Sequence, residues 1–293
     1  MGLHNVQKTG NMHYIYLPTK WCRDKCIRKG SRVEVELDSS GNIVLSATQK
    51  ADSATDIKIE LSENDIKILS KLIIACFINP VRSFEIDFEG VFDQKRLIND
   101  KDLMRTTFME IDEHRIYSEP IYSVNNPLSL CISMVKRIRN LIQVIMNSND
   151  SELLSGYKEE INHSNIIINK ATISSMMHRR ESKLKLVELH YISRMSLILG
   201  RITEHLVQID KLDREEKNFL KGLHQIIEKI IDILTVVQTD SSSFNHNMSV
   251  SLCKDIRSLK IKQEVLREAL IKTNLMYCGE ILLDWSITNM IQD

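Results

Sequence analysis

Two cysteines, Cys22 and Cys26, stand four residues apart, about one helical turn. His4 and His13 lie nearby in sequence. Thiolates and imidazoles at such spacing are the donors of a zinc site. No second Cys or His pair follows at ligand spacing, so two small side chains on a short helix is the favoured reading. Cys76, Cys131, Cys253 and Cys278 are scattered, which suggests reduced thiols. His190 stands alone in Leu186-Val187-Glu188-Leu189-His190, and a lone helical histidine is usually packing or surface. The chain has no phosphate-cradling glycine loop, no nucleophile elbow and no zinc-protease His pair. No catalysis is expected.

The distribution of charge says more. The chain of 293 residues carries 39 Lys plus Arg against 39 Asp plus Glu, so the total points to no partner. Residues 1–50 hold eight basic side chains (Lys8, Lys20, Arg23, Lys25, Arg28, Lys29, Arg32, Lys50) against four acidic ones (Asp24, Glu34, Glu36, Asp38). A basic head on a mildly acidic body points towards nucleic acid. With 43% apolar and 27% charged residues, the balance is that of a folded protein. No run reaches the ~18–20 uncharged apolar residues of a membrane span, and Met1-Gly2-Leu3-His4-Asn5 lacks the features of a signal peptide. A cytoplasmic protein without membrane insertion is expected.

The elements that must hold these charges follow from pattern. Tyr14-Ile15-Tyr16-Leu17, ended by Pro18, reads as a strand. Thr19 can cap a short helix over 20–28, stopped by Lys29-Gly30-Ser31. Arg32-Val33-Glu34-Val35-Glu36-Leu37 alternates, Asp38-Ser39-Ser40-Gly41 turns, and Asn42-Ile43-Val44-Leu45 returns as a hairpin. Fifty residues with so few large apolar groups bury little, and dimerisation is the natural remedy. Gln49–Thr55 is a polar linker.

A mixed α/β connector over 56–122 follows. It should hold a helix from Ser62-Glu63-Asn64-Asp65 to about Phe77, a strand at 84–88, a helix at 94–107 and a strand pair around Asp112-Glu113 within 108–117. From 126 to 293 the pattern is helical, with segments near 127–147, 150–178, 182–210, 213–238, 248–274 and 275–291. The fold class is α+β, and six helices would fit two copies of a three-helix unit.

Four pieces of the head recur in order. Gln7-Lys8-Thr9-Gly10-Asn11, Leu17-Pro18-Thr19-Lys20-Trp21, Ile27-Arg28-Lys29-Gly30-Ser31-Arg32-Val33-Glu34-Val35 and the 38–45 hairpin resemble the swapped-hairpin DNA-binding domains of AbrB, SpoVT and MazE type. That resemblance implies a dimer with interleaved strands. It also implies contacts to double-stranded DNA from Lys8, Lys20, Arg23, Lys25 and Arg28. Lysine and arginine neutralise phosphates, and arginine also reads guanine. Some members of that family carry an arginine within the first strand where this chain has Tyr14.

The helical part supports a second resemblance. Pro127-Leu128-Ser129-Leu130, Val135-Lys136-Arg137-Ile138, Lys158-Glu159-Glu160-Ile161-Asn162 and Gly200-Arg201-Ile202-Thr203-Glu204-His205 follow the order of PhoU-like phosphate-signalling proteins. Those are two repeated three-helix bundles, often with acidic i, i+4 pairs that bind metal. The fused arrangement resembles archaeal phosphate uptake regulators with an AbrB-like head and a PhoU-like body. Carboxylates at i and i+4 lie about 6 Å apart on one helical face and can share a cation with a facing helix. Here Gly200 stands where the leading glutamate belongs and Glu204 replaces the aspartate, whereas Glu280-Ile281-Leu282-Leu283-Asp284 keeps its pair. Glu159, Glu160, Glu204, Glu280 and Asp284 are the ligands this resemblance leaves for a divalent or ferric ion. No cofactor is required, and metal binding is expected to be reduced or lost.

The expected protein is a homodimeric, or larger homo-oligomeric, DNA-binding transcriptional regulator of phosphate uptake or metabolism. The rival is a non-enzymatic adaptor whose body binds a transporter or kinase while the head only dimerises. A metal-dependent enzyme is the third reading.

Overall fold

The computed structural model describes residues 5–37, 41–47, 55–62, 65–79, 81–88, 109–111, 114–118, 126–148, 150–177, 182, 184–209, 212–262 and 265–291. The architecture is α+β: among the described residues, small N-terminal sheets, a mixed sheet, then a body of six α-helices. The chain divides into two compact units, residues 1–54 and 55–293.

The first unit is two hairpins around a short helix. β1 (Gln7–Thr9) pairs antiparallel with β2 (Met12–Tyr14) across a turn in which Gly10 takes φ +60°. The strand expected through Leu17 pairs only as far as Tyr14, because Gln7, its partner, is the first residue of β1. Ile15 and Tyr16 run on, exposed. α1 spans Thr19–Asp24 rather than 20–28, and Pro18 occupies the cap position without a side-chain cap from Thr19. The helix stops early because Cys26 enters the left-handed region at φ +53°, where the Ile27 N–H donates to the Cys22 carbonyl at 2.8 Å. β3 (Val33–Leu37) and β4 (Ile43–Ala47) form the expected hairpin.

In the second unit β5 (Thr55–Leu61) leads through helix α2 (Ile66–Ile78) to β6 (Val81–Phe88), which lies parallel to β5. β8 (Arg115–Ser118) pairs antiparallel with β6, and β7 (Met109–Ile111) closes the order β5-β6-β8-β7. β5 was not among the expected elements, although Ile57, Ile59 and Leu61 alternate onto one half-buried face. Leu69, Ile73 and Cys76 of α2 pack with Phe84, Ile86, Phe88 and Ile116. The two strands expected around Asp112-Glu113 are β7 and β8, while the helix expected at 94–107 lies outside the described residues.

The body comprises α3 (Pro127–Asn147), α4 (Ser151–Met177), α5 (Leu186–Leu206), α6 (Arg214–Thr239), α7 (His246–Ser258) and α8 (Leu266–Ile291). α3 packs on α4, α5 and α6; α5 on α4 and α8; α7 on α6 and α8. One apolar core runs through it, and within it Trp285 stacks on Tyr191 with ring centroids 5.7 Å apart. No helix among the described residues is long and apolar enough to cross a membrane.

α3 begins where expected because Asn126 accepts hydrogen bonds from the Leu128 and Ser129 N–H groups and Pro127 needs no donor partner. Asn126→Ala should lower unfolding stability by about 1 kcal/mol, measured by urea denaturation with unchanged helical content.

The last two helices depart from expectation. A boundary at 274/275 was expected; the break lies between Ser258 and Leu266. No glycine or proline marks it. Leu259 leaves the helix at ψ 115° and buries its side chain, while Glu268 reaches back to accept the Lys262 N–H at 2.7 Å. α6 makes room through Gly222, where a Cβ would stand 2.7 Å from Leu259 Cδ1. α5 likewise runs 186–206 instead of 182–210, starting at Lys185, whose N–H donates to Glu188 Oε2 at 2.7 Å.

Candidate nucleic-acid interface

The five basic residues fall on three parts of the first unit. Lys8 is the middle residue of β1, opposite His13 on β2. Lys20 and Arg23 are three apart on α1, so they share one helical face. Lys25 follows at the helix end, its N–H turned back to the Trp21 carbonyl at 3.0 Å. Arg28 lies in the turn before β3, where its N–H donates to Ser31 Oγ at 2.9 Å and Gly30 takes φ +88°. All five side chains are exposed. Of the two cysteines, Cys26 is exposed and Cys22 half-buried.

The same unit exposes its apolar residues. The register sets Val33 against Ala47, Val35 against Leu45 and Leu37 against Ile43, so one face of the β3–β4 hairpin is apolar from end to end. Val35 is 61% exposed, Leu37 76% and Ile43 65%. No described residue of this unit whose burial is known is buried. Two hairpins without a core do not stand alone in water, so this face requires cover.

The candidate metal carboxylates are spread over three helices. Glu160 is drawn to α3 by Arg137, whose Nε is 3.5 Å away, and Glu159 beside it is half-buried. Glu204, Glu280 and Asp284 are exposed. α5 and α8 pack together, with Tyr191 Oη 2.9 Å from Thr288 Oγ1. Among the described residues no three His, Cys, Asp or Glu side chains come together to hold a metal.

Lys170 of α4 was not foreseen. Its ammonium sits 3.7 Å from the centre of the Phe77 ring on α2, and it has no hydrogen-bond partner among the described residues. Burial lowers its pKa to about 8. An unfolded lysine titrates near 10.5, so between pH 8 and 10.5 the unfolded chain binds more protons than the folded one. Stability should therefore rise with pH across that window. Lys170→Met keeps the stem over the ring and removes the charge. It should raise stability at pH 7 by about 1–2 kcal/mol and abolish the rise between pH 8 and 10.5, both followed by thermal unfolding.

The fold and site thus define a class: an α+β protein with a small basic, apolar-faced β head and a larger sheet-and-helix unit. Compared with known protein families, with curated proteins and with solved structures, the chain matches none.

Proposed function

We propose that the chain is a homodimeric DNA-binding transcriptional regulator. The observation that carries this reading is the uncovered apolar face of the β3–β4 hairpin, in a unit that also exposes five basic side chains. A second copy covers that face by exchanging strands, as the resemblance to swapped-hairpin domains implies. Pairing two heads doubles the basic surface, and duplex DNA has a two-fold relation between half-sites that such a dimer matches. Lys8, Lys20, Arg23, Lys25 and Arg28 contact phosphates, with the arginines also able to read guanine.

The helical body receives the signal. Its likeness in motif order to PhoU-like proteins makes phosphate supply the signal of choice, and two three-helix units the finer architecture. The test is genome-wide mapping of the sites this chain occupies with and without phosphate limitation. Occupied sites beside phosphate-uptake genes that change with phosphate support the reading. Capture of a transporter or kinase by residues 126–293 with no occupied DNA would favour the adaptor instead.

A further inference from the structure

Between α6, α7 and the segment joining α7 to α8 lies a cleft of about 590 Å³, within the range of small-molecule sites. Phe219, Ile226 and Leu259 make its floor, all buried. Glu268 lines it at 3% exposure. One carboxylate oxygen of Glu268 accepts the Lys262 N–H at 2.7 Å; the other, Oε1, is buried with no hydrogen-bond partner among the described residues. Tethering the loop needs only the first oxygen. A buried acceptor without a donor costs stability, so the second marks a place where a donor arrives from outside the chain.

We propose that this cleft binds a small organic cation, a primary ammonium carrying a short apolar tail, with Glu268 Oε1 accepting from the ammonium and the tail lying on Phe219, Ile226 and Leu259.

The lining charges balance, Lys229, Lys260 and Lys262 against Glu215, Asp255 and Glu268, so the sign of the ligand is set by the buried Glu268 carboxylate. Lys262 is engaged with Asp213 at 2.7 Å and Glu215 at 3.7 Å, and Lys229 with Asp255. An anion entering the cleft would meet the buried Glu268 carboxylate, with Lys229 and Lys262 already engaged and Lys260 exposed to water. Burial pushes the Glu268 carboxyl above its usual range, against the Lys262 N–H, with Glu216 and Asp213 adding to the rise and the Lys262 ammonium opposing it. An arriving ammonium relieves that cost by supplying the missing charge and donor together.

The test is methyl NMR of the full chain titrated with n-butylammonium chloride, with n-butanol as the neutral match. The Ile226 and Leu259 methyl signals should shift saturably with n-butylammonium and at least ten times more weakly with n-butanol. Glu268→Gln keeps the Lys262 bond but turns a donor towards the ligand, and should weaken binding at least ten-fold. Asn218→Trp, an exposed lining position, should abolish it by filling the cleft. Absence of a saturable shift, equal binding of n-butanol, or unchanged affinity in either folded variant overturns the proposal.

Discussion

Val35→Asp is expected to convert the protein from dimer to monomer. Val35 is at the centre of the apolar hairpin face, paired across strands with Leu45 and flanked by Leu37 and Ile43. Burying a valine in an interface contributes about 1.5–3 kcal/mol. Aspartate loses that and brings a carboxylate that must shed water. The penalty enters twice in a two-fold dimer, since each copy carries it. A dimer at least about 100-fold weaker follows, at roughly 1.4 kcal/mol per factor of ten. Sedimentation velocity reads the change directly. The helical signal should survive, because the body has a separate core. Val35→Ile, which keeps the face apolar, should leave the dimer intact. A Val35→Asp chain that sediments like the parent would show that the face is covered some other way.

The second large effect concerns DNA. Lys8→Ala combined with Arg23→Ala removes one cation from β1 and one from α1 in each protomer. In a dimer that is four phosphate contacts. Each contact contributes about 0.9 to the slope of log affinity against log salt, so the slope should fall by about 3 to 4. At ~0.1 M salt the affinity should drop well over ten-fold. Fluorescence anisotropy with a labelled duplex measures both. An unchanged titration would remove these two residues from the interface while leaving the dimer prediction standing.

Elements with local signals were legible in the sequence. Asn126-Pro127 and Asp213 carry their own caps, so α3 and α6 start within a residue of expectation. The β3–β4 hairpin was equally plain, because alternation and Gly41 at φ +77° reinforce each other. The break before α8 was not legible. It depends on Leu259 filling the space left by Gly222, 37 residues away in sequence, and on Glu268 reaching back six residues to Lys262, a contact that no turn or cap pattern announces. A glycine inside an otherwise glycine-poor helix was the one available hint. The Glu268 cleft was hidden because its walls come from α6, from 255–262 and from Glu268, brought together only by the fold. β5 does carry a sequence signal, since Ile57, Ile59 and Leu61 alternate as a strand should, next to a polar linker. The basic residues of the head could be named from sequence, whereas the spread of Glu159, Glu160, Glu204, Glu280 and Asp284 over three packed helices required the fold.

The central claim is that two chains act together on one duplex. Sedimentation equilibrium of the full chain with a duplex of about 20 base pairs, a length that spans two half-sites one turn apart, tests it most directly. The account predicts a complex of two chains per duplex that dissociates as salt is raised. A complex of one chain per duplex, or no complex at low salt from a folded dimer, would contradict it.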